Sequence, residues 1–94
     1  METGSPVAER EFEIRNRLGL HARAAAQIVH LANRFASEIR ISKDGVEVNG
    51  KSIMGVLMLA APRDSRIVVR AVGPDAEEAI SAIGELIDRK FGEE

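Results

Sequence analysis

The chain has no cysteine, tryptophan or tyrosine, and only three phenylalanines and three prolines among its 94 residues. The missing thiols exclude a disulfide framework, thiolate catalysis and cysteine-ligated zinc. A small domain that does without disulfides suits a reducing compartment. Aromatic residues make up 3% of the chain against 45% hydrophobic ones, so the core has to be aliphatic, built from Ile, Val, Leu, Ala and a little Met. No apolar run is long enough to span a bilayer, and no basic segment followed by a hydrophobic one opens the chain. The expectation is a cytoplasmic protein without membrane insertion. A positive excess is lacking too. The net charge is −2, and beyond residue 9 thirteen acidic side chains balance thirteen basic ones. Nucleic-acid binding, which draws on basic charge and stacking rings, is disfavoured. With neither a glycine-rich phosphate loop nor a carboxylate-rich metal cluster, an independent kinase or hydrolase is disfavoured as well.

What is present is periodicity. Residues 1–9 hold Gly4, Ser5 and Pro6 and show none, so they are expected to be a flexible leader before a single domain over 10–94. Phe12 and Ile14 alternate with charged residues, as in a strand with one buried face. Ala25, Ile28, Val29, Ala32 and Phe35 recur at helical spacing. Residues 38–42 alternate again, Lys43-Asp44-Gly45 signals a hairpin turn, and Val46 and Val48 carry the returning strand. Ser52 opens a short helix running to about residue 61, with Val56 and Ala60 expected in the core. A valine-rich strand over 67–72 follows, closed by Gly73-Pro74-Asp75. Asp75 and Glu78 match a capping box before a stripe formed by Ala76, Ala79, Ile80, Ile83, Leu86, Ile87 and Phe91, which Gly92 ends. The order βαββαβα, with one apolar face per element, predicts an α+β fold. Its form is a two-layer open-faced sandwich, with three helices on one face of an antiparallel sheet of about four strands.

Chemistry concentrates in two segments. In Asn16-Arg17-Leu18-Gly19-Leu20-His21-Ala22-Arg23, the histidine falls where the first helix begins. Free amide N–H groups and partial positive charge there accept phosphate and disfavour imidazolium, leaving a neutral nucleophilic nitrogen. Arg23 is placed to pair with phosphate oxygens through its planar fork. His30, mid-helix beside the apolar stripe, is read as a boundary residue only. Ser52 stands where a helix N-cap is expected. Leu20 and Met54 are expected to face partners, and Ala24, Ile53 and Leu57 to contribute to the same surface. Arg17 adds a rim charge suited to an acidic partner.

The run Gly19-Leu20-His21-Ala22-Arg23-Ala24-Ala25 closely resembles the active-site segment of the HPr family, the histidine-containing phosphocarriers of the bacterial phosphotransferase system. Lys51-Ser52-Ile53-Met54-Gly55-Val56-Leu57 resembles that family's regulatory segment, and the likeness extends over about residues 12–91. The resemblance implies a carrier, not an enzyme. His21 Nδ1 would take a phosphoryl group from an enzyme I-type phosphotransferase charged by phosphoenolpyruvate and pass it to an enzyme IIA-type acceptor, with Arg23 supporting the phosphate. It implies a monomer without cofactor or metal, and possible modification of Ser52 by an HPr kinase/phosphorylase. The family usually has proline after the arginine, where this chain has Ala24. The sugar-transport and regulatory, nitrogen-related branches stay open. The competing class is a small α+β ligand- or protein-binding regulatory module without phosphoryl transfer.

Overall fold

A computed structural model describes residues 6–93. Within them the order is β1 (Val7–Glu13), α1 (Ala22–Ala32), β2 (Glu38–Lys43), β3 (Val46–Asn49), α2 (Ile53–Met58), β4 (Arg66–Val72) and α3 (Ala76–Asp88), followed by a single 3-10 turn, Lys90–Gly92. The four strands form one antiparallel sheet in the order β1-β4-β2-β3. Strand β4, the last in sequence, thus enters between the first two.

Register sets the buried face. Phe12 lies opposite Ile67, Ile41 opposite both Val69 and Val48, and Ile39 opposite Ala71. All of these side chains are buried, and their neighbours along each strand are exposed or half-buried. The helices cover that face with Ala24, Ala25, Ile28, Val29 and Ala32 of α1, Val56 of α2, and Ala79, Ile80, Ile83 and Ile87 of α3. Helix α3 runs so close to β1 at Gly84 that an added Cβ would stand 2.6 Å from the Phe12 ring. The other face of the sheet is lined by charges, including Arg70–Glu9 at 3.7 Å and Arg66–Glu11 at 3.4 Å. Exposed pairs of this kind contribute little to stability. At the β2–β3 hairpin Asp44 and Gly45 both have positive φ, 52° and 84°, the combination that matches strand twist in a two-residue turn.

Several local expectations are corrected. Strand β1 begins at Val7, inside the stretch read as leader, because Val7, Ala8 and Glu9 pair with Val72, Ala71 and Arg70. Residues 1–5 lie outside the described residues. Phe35 falls beyond the end of α1, where it is half-buried. Ala60 is exposed, not core, because α2 stops at Met58 and the chain reverses through Ala60 at φ 48°. Asp75 does not cap α3 with its side chain. Its carboxylate instead accepts from the Ala36 and Ser37 amides, both at 2.9 Å, and from the Ser37 hydroxyl. Donors 38 and 39 residues earlier outcompete the local one. Helix α3 ends at Asp88, and Phe91 reaches the core from the following turn, in which Lys90 and Phe91 have φ near 57° and 58°.

Candidate functional site

The segment between β1 and α1 is built by hydrogen bonds to the stretch before β4. Ile14 N–H donates to the Ser65 carbonyl and Leu20 N–H to that of Ala61, both at 2.8 Å. Between these anchors Gly19 turns the backbone with φ 67°, and its own N–H returns to the Asn16 carbonyl at 3.1 Å. The chain then enters α1 with His21 as its N-cap, extended at φ −75° and ψ 177°.

The ring of His21 is half-buried and held at both nitrogens. Nδ1 accepts from the Arg23 N–H at 3.2 Å, which places a side-chain acceptor at the start of the helix. Nε2 lies 2.7 Å from Oε2 of Glu93. The second carboxylate oxygen of Glu93 accepts from Asn16 Nδ2 at 3.1 Å, and the same Nδ2 donates to the Gly19 carbonyl at 2.8 Å. Asn16 is completely buried. The Glu93 carboxyl is held below its ordinary value of 4.5, foremost by the Asn16 hydrogen bond; partial burial opposes this, and smaller contributions from His21 and Arg23 add to the lowering. An ionised Glu93 can only accept, so Nε2 is the protonated nitrogen. The Nδ1 lone pair is then available on the side of the α1 amides.

The ring opens onto a cleft of about 500 Å³ lined by Arg17, Leu18, His21, Arg23, Gly92 and Glu93. A larger groove of about 920 Å³ continues along α1, past Gln27, His30 and Asn33, towards Ile53 of α2. Arg17 and Arg23 are exposed at the cleft; on α2, Ile53 is exposed at the end of the groove and Met54 is exposed beside it in sequence. His30 is exposed on α1. Ser52 caps α2, its hydroxyl accepting from the Gly55 N–H at 3.2 Å.

Two residues expected at the partner surface are placed differently. Leu20 is 4% exposed and Ala24 fully buried, so neither offers a docking surface. Leu20 is drawn inward by its amide bond to Ala61, and Ala24 extends the α1 stripe one turn ahead of Ile28. Leu57 is half-buried against the core. Four residues that sequence reasoning passed over belong here. Leu18, 68% exposed, lines the cleft, and Met58, 73% exposed, adds to the apolar surface of α2. Asn16 and Glu93 complete the histidine's surroundings. An unpaired apolar residue before Gly19 was a signal for Leu18. No local pattern links Glu93 to a histidine 72 residues away.

A family model described as the "PTS HPr component phosphorylation site" matches residues 8–89. The phosphocarrier protein HPr of Cupriavidus necator is 47% identical over 87 residues, covering 93% of this chain and 98% of the relative. That of Xylella fastidiosa is 45% identical over 88 residues, covering 94% and 99%. The crystal structure of HPr-C-His from Thermoanaerobacter tengcongensis superposes with a TM-score of 0.90 at 47% identity, covering 93% of this chain and 98% of that one. The matched residues begin inside β1, take in the histidine loop and both capped helices, and end just past α3. The chain therefore belongs to the HPr family of phosphotransferase-system phosphocarriers, which are carrier proteins and not enzymes.

Proposed function

We propose that this chain carries a phosphoryl group on Nδ1 of His21 between an enzyme I-type phosphotransferase and an enzyme IIA-type acceptor. The supporting observation is the ring's double anchoring: Nε2 donates to Glu93 at 2.7 Å, and the Nδ1 lone pair stands at the amino end of α1. In the forward step that lone pair attacks the phosphorus of the donor, the donor's P–N bond breaks, and a P–Nδ1 bond forms. The α1 amides and the Arg23 guanidinium supply donors and positive charge for the phosphoryl oxygens. Onward transfer reverses the sequence on the acceptor's nucleophile. The carrier works in the cytoplasm as a monomer. It docks through Met54, Ile53, Met58 and Leu18, with Arg17 at the rim, since exposed methionines adapt to more than one partner.

Incubation with phosphoenolpyruvate and an enzyme I-type phosphotransferase tests this reading. The expected product is an acid-labile adduct of phosphoryl mass, lost in His21→Ala and retained in His30→Ala. Labelling that survives His21→Ala moves the acceptor elsewhere.

Ser52 is the proposed regulatory position. A phosphoryl group on its hydroxyl would add about −1.5 to −2 charges at a helix N-terminus, where it is tolerated, and would repel an acidic partner docking over Met54. Incubation with an HPr kinase/phosphorylase and ATP tests it; an unmodified protein removes the idea.

A further inference from the structure

We infer that Glu93, held in place by Asn16, is the fixed counter-ion of the phosphorylated ring, keeping the Nε2 proton in place so that His21 discharges as a neutral imidazole. This rests on His21 being the acceptor, as proposed above.

The proton balance gives the argument. In the resting ring Nε2 bears hydrogen and Nδ1 bears the lone pair. When Nδ1 bonds to phosphorus and Nε2 keeps its proton, the ring becomes cationic. On discharge the P–Nδ1 bond breaks, its electron pair returns to Nδ1, and the ring is neutral again with the same proton on Nε2. No proton enters or leaves in either direction. Were Nε2 to lose its proton while the ring carried the phosphoryl group, the leaving nitrogen would depart as an imidazolate, a much poorer leaving group. A carboxylate 2.7 Å from Nε2 opposes that loss by stabilising the cationic ring.

The arrangement has the features of a dedicated position. Asn16 is fully buried, and its Nδ2 is shared between the Gly19 carbonyl and Glu93, so the loop that presents the histidine also fixes its counter-ion. Glu93 is delivered by a turn with two successive non-glycine residues at positive φ, Lys90 and Phe91. Phe91 is buried in the core, and its carbonyl accepts from Gln27 Nε2 of α1 at 3.3 Å. Such backbone conformations persist where surrounding packing enforces them. Glu93 also lies outside the residues matched by the family model, 8–89. The charged groups lining the ring's cleft among the described residues are Arg17 of the loop, Arg23 of α1 and Glu93 itself. The two arginines favour loss of the ring proton, leaving Glu93 to oppose them.

The test uses the full chain, charged by phosphoenolpyruvate and an enzyme I-type phosphotransferase, as wild type, Glu93→Gln, Asn16→Ala and His21→Ala. Two quantities are followed from pH 5 to 10: the ¹⁵N shift of Nε2 in the phosphorylated ring, and the rate at which the phosphoryl group is lost to water. In Glu93→Gln the midpoint for loss of the Nε2 proton is expected to fall by about one pH unit, and phosphoryl loss near pH 8 to slow by roughly three- to tenfold. Asn16→Ala shifts both in the same direction by less; if it fails to fold, Glu93→Gln decides alone. A charged Glu93→Gln protein with wild-type midpoint and pH profile overturns the inference and leaves the carrier reading standing. Absence of labelling in the wild type, or labelling retained in His21→Ala, overturns the carrier reading and the inference with it.

Discussion

The α-carbon of Gly19 packs against the Ala61 carbonyl so tightly that a Cβ built on it would stand 2.5 Å from that oxygen, the same oxygen that accepts the Leu20 amide. Backbone meets backbone here, so no side chain can move aside. With φ at 67° the position is also strained for any other residue. Gly19→Ala is expected to destabilise the fold by about 2–4 kcal/mol, from left-handed strain and overpacking together. Because His21 follows two residues later, phosphoryl acceptance should fall as well. Urea unfolding and the labelling assay measure the two effects; a stability within 0.5 kcal/mol of wild type, on the order of a neutral surface change, contradicts the geometry.

A second expectation concerns the far end of the sheet. The Asp75 carboxyl is held below its ordinary value of 3.8, foremost by the Ser37 hydroxyl and then by the Ala36 amide. A carboxyl depressed in the folded state adds stability above its unfolded value and loses it as pH falls through the folded value. Asp75→Asn should therefore be less stable than wild type near pH 6, with the gap closing below about pH 3.8. Thermal melts from pH 2.5 to 7 test this. A gap that does not change with pH would show that the charge is irrelevant.

At α2, Ser52→Ala removes the acceptor for the Gly55 amide. The expected loss is about 0.5–2 kcal/mol. Ser52→Asp, which keeps an acceptor and adds a negative charge at the helix start, should recover most of it in chemical denaturation. If the alanine variant is as stable as wild type, the hydroxyl is not serving as a cap.

Met54→Ala separates docking from folding. Met54 is 72% exposed, so the change should leave stability within about 0.5 kcal/mol. Affinity for the enzyme I-type partner, read by calorimetry, is expected to weaken by roughly fivefold or more, the effect of about 1 kcal/mol at a contact that matters. Unchanged affinity would place the docking surface elsewhere.

How much of this was legible beforehand depended on the range of each signal. Strand β4 and helix α3 announced themselves because Ile67, Val69 and Ala71, or Ala79, Ile80, Ile83 and Ile87, follow their periods without interruption. The position of His21 at a helix start was legible from Gly19 and the alanines after it. Leu20 and Ala24 were misjudged by proximity. Flanking an exposed ring says nothing of burial, whereas the spacing from Ala24 to Ile28 already placed Ala24 on the inner stripe. Asp75 satisfied a local pattern and lost to donors on another element. The bond between Glu93 and His21 closes over 72 residues through a turn that no periodicity describes.

The route of the chain has a practical corollary. Strand β1 starts beside Val72 and delivers the histidine loop only after about 20 Å of extended backbone, while the Glu93 carboxylate lies 2.7 Å from the imidazole. A purification tag, fluorophore or fused partner ahead of β1 would hang well clear of the working face. A bulky group attached at Glu93 itself would crowd it.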